Sequence, residues 1–314
     1  MTARNKKRII KKIISWSGLF FFALAAFMIY KQLSKYTMDE IKDAILSVPL
    51  HNILLACLAS FCGYIALSSY DFLALKYIGK KLSRWKWMFA GFIGFSVSNN
   101  AGHAIVSGGA IRYRLYTRWR VSASDIVKMV TFSGFTYLVA CFFLILIGYT
   151  CSPHHLIADN ASSYVNWIIA IGSALGLAFY IWGSTYYKKP IVIKEVEFSP
   201  PGLKMALSQI IIGSADILMA SLVLYSILMH FMDIPFLDFM GTFIIAQVLG
   251  VYSQVPGGLG VFEIMFAKLL PDETNQATIF AILVLYRIIY YLLPLVISGI
   301  ALFAYEFKLA EKKK

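Results

Sequence analysis

Ser98-Asn99-Asn100-Ala101-Gly102-His103 is a polar interruption of the apolar segment 87–111, and Ser107-Gly108-Gly109 interrupts the same segment again. Basic residues flank the segment on both sides: Lys76, Lys80, Lys81, Arg84 and Lys86 before it, and Arg112, Arg114, Arg118 and Arg120 after it. Because basic flanks favour the cytoplasmic side of a membrane, both ends are expected there. We therefore predict a re-entrant hairpin over 87–111. Irregular backbone at membrane depth must be buried in protein or line a watery cavity, so the hairpin predicts a polar path inside the membrane.

The composition of the 314-residue chain is typical of a membrane protein. Hydrophobic residues make up 59% of it and charged residues only 14%, which predicts an all-α polytopic membrane protein. The connections between apolar segments are short, so residues 1–314 are expected to form a single transmembrane domain with no soluble domain. The net charge of +13 lies in loops beside the apolar segments, where anionic lipid explains it, and we expect no nucleic-acid partner.

Six apolar segments are predicted to cross the membrane fully: about 13–30, 51–75, 123–150, 163–185, 204–231 and 275–305. Segment 13–30 is interpreted as an uncleaved N-terminal helix, with a cleaved signal peptide as the alternative. Segment 38–50 repeats apolar residues at helical spacing opposite an acidic face, which predicts a short interfacial helix that is stopped at Pro49.

A second interrupted segment, 238–270, contains Val255-Pro256-Gly257-Gly258-Leu259-Gly260 between two apolar arms. With both termini cytoplasmic, charge placement predicts a second re-entrant hairpin that enters from outside. The half-repeats 51–150 and 204–305, joined by the linking helix 163–185, would then form an inverted repeat, which is typical of transporters. The Gly-Gly pairs of the two hairpins are expected to be equivalent turns, followed by Arg114 and Glu263 as equivalent charges.

Five charged residues within apolar segments are candidates for the lining of a substrate path: Asp71, Arg112, Asp216, Glu263 and Arg287. Each is costly in a membrane and therefore requires a partner or a role. The helical rise places Asp216 and Arg287 near the middle of a core of roughly 30 Å, so they are expected to pair. Asp71 and Arg112 are expected to pair near the cytoplasmic edge. The alternative is that such pairs only fix the register of the helices.

The hairpin turns are expected at polar and glycine-rich positions: Asn99, Asn100, Gly102, Gly108, Gly109, Pro256, Gly257, Gly258 and Gly260. For the first hairpin two turn positions stay open, 99–102 and Gly108-Gly109. His103 is a further candidate for a functional role, with a purely structural histidine as the alternative.

The sequence carries no Ser-His-Asp arrangement, no metal-ligand spacing and no glycine-rich nucleotide loop. Its four cysteines are not arranged as metal ligands. We therefore expect no catalytic residue, no metal ion and no cofactor, and a membrane-embedded enzyme is disfavoured.

Several motifs resemble the lysyl-phosphatidylglycerol synthase transmembrane region, the flippase half of the multiple peptide resistance factor that also occurs as stand-alone inner-membrane proteins. These motifs are Ser69-Tyr70-Asp71, Gly108-Gly109-Ala110-Ile111-Arg112, Asp216, Val255-Pro256-Gly257-Gly258-Leu259-Gly260-Val261-Phe262-Glu263 and Leu285-Tyr286-Arg287. The resemblance covers nearly the whole chain, and the stretch 255–263 is its most specific element.

This resemblance implies translocation of an aminoacylated phospholipid between leaflets. It also implies polar contacts along the path for Asp71, Arg112 and Asp216, with Glu263 and Arg287 at matching positions. The chain ends without the aminoacyl-transferase domain of the full-length factor, so no lysyl transfer is expected.

The function expected from the sequence is therefore that of a phospholipid flippase in the bacterial inner membrane. An ion-coupled transporter of a small solute fits an inverted repeat equally well, and a non-transporting partner of a lipid-modifying enzyme is a third alternative. The expected partner is a membrane phospholipid, with a second copy of the chain or a lipid-modifying enzyme as further candidates.

Overall fold

The structure, a computed structural model, describes residues 38–101, 104–151, 163–193, 196–253, 255–269 and 276–311. Its helices within these ranges are α1 (Met38–Ser47), α2 (Leu50–Tyr77), α3 (Arg84–Ala101), α4 (Ala104–Arg118), α5 (Ala123–Cys151), α6 (Ser163–Tyr186), α7 (Leu203–Leu228), α8 (Phe236–Tyr252), α9 (Val261–Leu269), α10 (Gln276–Arg287) and α11 (Leu293–Glu311). A 3₁₀ turn, Pro256–Gly258, lies between α8 and α9, and a π-helical turn, Ile288–Leu292, joins α10 to α11. The antiparallel strands β1 (Ile191–Ile193) and β2 (Val196–Phe198) lie between α6 and α7.

Five helical segments of the described chain are long and apolar enough to cross a membrane: Leu50–Tyr77, Ala123–Cys151, Tyr164–Tyr186, Leu203–Leu228 and Thr278–Glu311. They coincide with five of the predicted spans, and the predicted class, an all-α membrane protein, is confirmed. The remaining predicted span, 13–30, lies outside the described residues, as do Gly102 and His103. The small β1–β2 sheet was not predicted, because its strands are too short to show an alternating pattern.

The short helix predicted over 38–50 is present as α1, and its end has a simple cause. Pro49 lacks a backbone N–H and cannot continue α1, but its extended backbone conformation (φ −60°, ψ 144°) makes it the N-terminal cap of α2. One proline thus separates the two helices.

Helices α2 and α7 pack against each other in opposite directions. The side-chain amide of Asn52, near the start of α2, donates to the carbonyl of Ser226, near the end of α7, at 2.8 Å. Toward the other end of α2, the hydroxyl of Tyr70 contacts Asp216 in the middle of α7 at 2.9 Å. These are the first helices of the two predicted half-repeats, and they run antiparallel.

Helices α3 and α4 form an antiparallel pair, which we call the first hairpin. At its open end the ring of Trp85 lies 5.6 Å from that of Trp119, measured between centroids. Halfway along, Gly94 faces Arg112, and a Cβ on Gly94 would lie 3.2 Å from the guanidinium. Helix α3 thus ends at Ala101, and α4 runs from Ala104 in the opposite direction.

Helices α8 and α9 form a second antiparallel pair, the second hairpin. The ring centroids of Phe239 and Phe266 are 5.8 Å apart, and those of Phe243 and Phe262 are also 5.8 Å apart. Aromatic packing therefore joins the two arms of the second hairpin along their length.

The π-helical turn before α11 places backbone carbonyls where side chains of other helices reach them. Pro294 has no backbone N–H, so a carbonyl four or five residues earlier lacks the donor of its usual helical hydrogen bond. The hydroxyl of Ser60 donates to the carbonyl of Ile289 at 3.2 Å, and the hydroxyl of Tyr64 donates to the carbonyl of Tyr290 at 3.1 Å. Helix α2 thus satisfies the polar groups that the proline exposes, as burial away from water requires.

Candidate functional site

A buried ion pair connects α2 to the first hairpin. Nε of Arg112 lies 2.9 Å and 3.1 Å from the two carboxylate oxygens of Asp71, and Nη2 lies 2.9 Å from Oδ1. The hydroxyl of Tyr116, one helical turn after Arg112, donates to Oδ2 of Asp71 at 2.8 Å. Arg112 also stacks on Phe95, with Cζ 4.2 Å from the ring centroid. The predicted pairing of Asp71 with Arg112 is confirmed.

A second buried ion pair connects α10 to the second hairpin, with a different partner from the one predicted. Nε of Arg287 donates to Oε1 of Glu263 at 2.7 Å, and Nη1 donates to the carbonyl of Gly257. The other carboxylate oxygen of Glu263 accepts the backbone N–H of Gly260 at 2.7 Å. The pair therefore fixes the turn of the second hairpin as well as its second arm.

The predicted pairing of Asp216 with Arg287 is wrong. Asp216 is 4% exposed, and it accepts a hydrogen bond from the hydroxyl of Tyr70 at 2.9 Å, with the hydroxyl of Tyr290 at 3.5 Å. Equal depth was the basis of the prediction, but depth does not fix which faces of two helices meet. Arg287 is instead oriented toward the second hairpin, where Glu263 is available.

The turn of the second hairpin requires glycine for two reasons. Gly257, Gly258 and Gly260 have φ values of 62°, 63° and 80°, in the left-handed region that glycine adopts without strain. A Cβ on Gly257 would also lie 3.3 Å from the carbonyl oxygen of Asn99 and 3.4 Å from that of Asn100. The second hairpin's turn therefore packs directly against the end of α3, so the tips of the two hairpins meet.

Of the two turn positions left open for the first hairpin, Gly108-Gly109 is wrong, because both glycines lie inside α4. Asn99 and Asn100, expected in the turn, lie in the last turn of α3, and Gly102 lies outside the described residues, so a turn at Gly102 stays a prediction. The expected equivalence of the two Gly-Gly pairs is also wrong, since one pair is helical and the other forms a turn. Arg114, expected to match Glu263, is exposed and pairs with Glu306 at 3.0 Å.

A cavity of about 220 Å³ lies where the two hairpins, α2, α5 and α7 converge. Its lining includes five of the predicted residues, namely Asn99, Arg112, Asp216, Gly257 and Gly258. Asp71, Glu263 and Arg287 do not line it. They are connected to residues that do line the cavity. Asp71 pairs with Arg112, and Arg287, which pairs with Glu263, donates to the carbonyl of Gly257.

The cavity reaches the surface of the protein between α5 and α8. Two of its lining residues, Gly134 on α5 and Val251 on α8, are exposed, and Val251 is 47% exposed. Gly134 lies about 17 Å along α5 from its start, at 1.5 Å per residue. The opening is therefore on the side of a helix long enough to cross a membrane, at about two-fifths of its length.

A larger and more apolar cavity of about 550 Å³ lies between α5, α6 and the β1–β2 sheet. Phe135, Phe142, Phe179 and Trp182 contribute to its lining, and none of the predicted site residues does. It is separate from the site that the charged residues form.

Comparison with known proteins agrees with this architecture. The family described as "Lysylphosphatidylglycerol synthase TM region" matches residues 14–298. The chain belongs to this family. The resemblance seen in the sequence motifs is thus confirmed, and the family match concerns a transmembrane region and not a catalytic domain.

Three relatives illustrate the range of proteins that share this region. An uncharacterised protein of Synechocystis, slr0712, is 31% identical over 310 residues, which cover 98% of this chain and 95% of the relative. The inner membrane protein YbhN of Escherichia coli is 29% identical over 93% of this chain and 91% of its own. A phosphatidylglycerol lysyltransferase of Staphylococcus xylosus is 27% identical over 99% of this chain, but only 36% of that enzyme is covered.

Several residues of the site in this member of the family were not predicted from the sequence. Tyr116 follows Arg112 by four residues, so the helical period places both on one face, and this signal could have been used. Tyr70 and Tyr290 contact Asp216, but their position depends on long-range packing. Gln247 lines the cavity, and its side-chain oxygen has no hydrogen-bond partner among the described residues.

Groups of three or more metal-ligating side chains are not found in the described part of the chain. The polar groups that line the 220 Å³ cavity include one paired guanidinium, one buried carboxyl, two side-chain amides and several phenolic hydroxyls. Such groups can bind a charged or hydrogen-bonding ligand.

Proposed function

We propose that this protein translocates a phospholipid with a polar headgroup between the leaflets of the bacterial inner membrane. The observation that carries the proposal is the opening of the 220 Å³ cavity between Gly134 and Val251. An opening on the side of a membrane-crossing helix faces lipid. A headgroup can enter through it while the acyl chains remain in the bilayer.

The polar lining of the cavity suits a headgroup that contains a phosphate. Arg112 supplies a guanidinium, which binds phosphate oxygens through charge-assisted hydrogen bonds. Asp216 supplies an acceptor for a headgroup amine. Apolar side chains such as Leu67, Phe95 and Phe262 surround these groups, so water is partly excluded and the polar contacts are strengthened.

The relatives support both the location and the lipid class. YbhN is described as an inner membrane protein, and the staphylococcal relatives as phosphatidylglycerol lysyltransferases. By analogy, we propose a multi-pass protein of the inner membrane whose lipid carries an aminoacylated headgroup.

We further propose that the two hairpins are re-entrant and that they belong to an inverted repeat. Two features support this: α2 and α7 run antiparallel, and the hairpin tips meet beside Gly257. The repeat would allow the path to open alternately toward the two leaflets while the polar centre stays in place.

The proposal is tested by blocking the opening. A Cβ at Gly134 would meet no atom within 4 Å, so Gly134→Phe is expected to fold and to close the opening with its ring. The matched control is Gly172→Phe, because Gly172 is an exposed glycine of α6 that also has no atom within 4 Å of a Cβ. Both variants are reconstituted in vesicles that contain a fluorescent phospholipid, and transfer is followed by quenching of the outer leaflet.

We expect Gly134→Phe to abolish lipid transfer and Gly172→Phe to retain it. Equal transfer by both variants would contradict a lateral entry. A parallel assay with labelled small solutes separates the lipid function from an ion-coupled solute carrier. No movement of either lipid or solute by the unmodified protein would favour a non-transporting partner of a lipid-modifying enzyme.

The charged residues provide a second test of the same function. Asp216→Asn or Arg287→Gln is expected to stop lipid transfer while the protein remains in the membrane. Asp43→Asn is the control, since Asp43 is an exposed carboxylate of α1. Normal transfer by a well-folded Asp216→Asn variant would remove this residue from the path.

A further inference from the structure

The charges around the cavity do not balance within the described part of the chain. Arg112 is paired with Asp71, and Arg287 is paired with Glu263. Asp216 has no lysine, arginine or histidine nitrogen within 4 Å among the described residues. If Asp216 is ionised, these five groups sum to one negative charge, and that charge faces the cavity.

The ionisable groups that face Asp216 from the neighbouring elements cannot neutralise it. They come from α2, α5 and the π-helical turn, and they are Tyr64, Tyr70, Tyr137, Cys141, Tyr290 and Tyr291. All are uncharged near neutral pH, since an ordinary tyrosine ionises only near pH 10 and an ordinary cysteine near pH 8.5. They can donate hydrogen bonds to the carboxyl but cannot supply a positive charge.

A buried carboxylate without a cation is unfavourable, and a proton is the simplest source of the missing charge. The same cavity contains a second acceptor, because the side-chain oxygen of Gln247 has no partner among the described residues. Two acceptors on one cavity fit a group that both donates hydrogen bonds and carries a positive charge. An ammonium group has both properties.

We propose that Asp216 exchanges its proton for the ammonium group of the lipid headgroup. The carboxylic acid loses its proton to water, and the resulting carboxylate forms an ion pair with the ammonium group, so the charge of the site is unchanged. No covalent bond to the lipid forms or breaks. The exchange rests on the proposed lipid function, and it makes the amine the part of the headgroup that Asp216 recognises.

The exchange is measured by calorimetric titration of the purified full chain with short-chain lipids, in buffers of different ionisation enthalpy. The probes are a dihexanoyl phosphatidylethanolamine, a dihexanoyl lysyl-phosphatidylglycerol and, without an amine, dihexanoyl phosphatidylglycerol. Titrations run between about pH 5 and pH 9, a range that spans ordinary and strongly shifted carboxyl groups.

We expect about one proton to be released for each amine lipid bound at the acidic end of this range. Affinity should rise with pH by up to about tenfold per unit until Asp216 is ionised in the free protein. At the acidic end of the range, where the lipid amines stay protonated, Asp216→Asn should release no proton and should bind with an affinity that does not depend on pH. Phosphatidylglycerol should release none with either protein.

Two outcomes overturn the exchange. One is binding of the amine lipids without proton release at any pH. The other is proton release that Asp216→Asn retains in full. Failure of every lipid to bind would instead refute the proposed lipid function, so the two failures are distinguishable.

Discussion

Two adjacent glycines of α4 give the sharpest test of how the first hairpin packs. A Cβ on Gly108 would overlap Oγ of Ser98 and lie 2.9 Å from the carbonyl oxygen of Gly94, whereas a Cβ on Gly109 would meet only Val130, at 3.9 Å. Gly108→Ala therefore forces the two arms of the hairpin apart. Gly109→Ala adds a methyl group in ordinary contact.

The expected difference in the free energy of unfolding follows from comparing the two variants. Each substitution replaces glycine by alanine inside the same helix, so each gains about 1 kcal/mol of helix propensity. That gain cancels in the comparison. The remaining difference is the cost of overpacking, which is typically about 1–3 kcal/mol, and we expect Gly108→Ala to be less stable than Gly109→Ala by this amount.

Thermal unfolding of both variants in the same detergent measures the difference, and lipid transfer in vesicles provides a second readout. Gly109→Ala is expected to unfold at or above the temperature of the unmodified protein and Gly108→Ala below it. Lipid transfer should also fall in Gly108→Ala, because separated arms displace the guanidinium of Arg112. Equal unfolding temperatures for the two variants would refute the close packing of α3 on α4.

Three further predictions follow from two buried polar contacts and from the turn of the second hairpin. Glu263→Gln should destabilise the protein by about 3–5 kcal/mol in chemical unfolding, because it leaves Arg287 charged and unpaired. Adding Arg287→Met should recover most of the lost stability without restoring lipid transfer. No recovery of stability would contradict the pairing of Glu263 with Arg287. Tyr64→Phe removes the donor to a carbonyl of the π-helical turn and should lower the free energy of unfolding by about 1–3 kcal/mol. Tyr113→Phe, at an exposed tyrosine, should not change the free energy of unfolding. Equal stability of the two variants would contradict the contact of Tyr64. Gly257→Ala should cost about 1–2 kcal/mol for its left-handed backbone, measured by thermal unfolding, and an unchanged unfolding temperature would show that the turn adopts another conformation.

The sequence predicted the long helices well because their signal is local. Apolar length alone identifies α2, α5, α6 and α7, and the basic flanks identified 87–111 as a segment of a different kind. The end of α1 before Pro49 was also predictable, since it depends on one residue and on no distant contact.

Pairwise contacts were predictable only where a second constraint existed. Asp71 and Arg112 were assigned to the same edge of the membrane, and Arg112 directly follows the apolar segment 87–111. Asp216 and Arg287 shared a depth, but the rotation of each helix about its axis decides which residues meet. That rotation depends on packing over the whole bundle, so the preference of Arg287 for Glu263 could not be derived from depth.

Glycine is required for two different physical reasons in this protein, and the neighbouring sequence does not show which reason applies. Gly257 needs a positive φ, whereas Gly108 needs the absence of a side chain where two helices touch. Both occur in Gly-Gly pairs next to polar or proline residues. Only the contact across α3 and α4 distinguishes a packing glycine from a turn glycine.

The hydrogen bonds at the π-helical turn decide which parts of the molecule can shift independently. Ser60 and Tyr64 attach α2 to two of its carbonyls, and the amide of Asn100 attaches the tip of the first hairpin to a third, that of Tyr291, at 3.1 Å. Any rigid-body displacement that separated these three elements would leave the carbonyl acceptors of the π-helical turn without hydrogen-bond donors, away from water. These three elements are therefore expected to move as one body, and in the proposed transport cycle the hinge would lie elsewhere in the bundle.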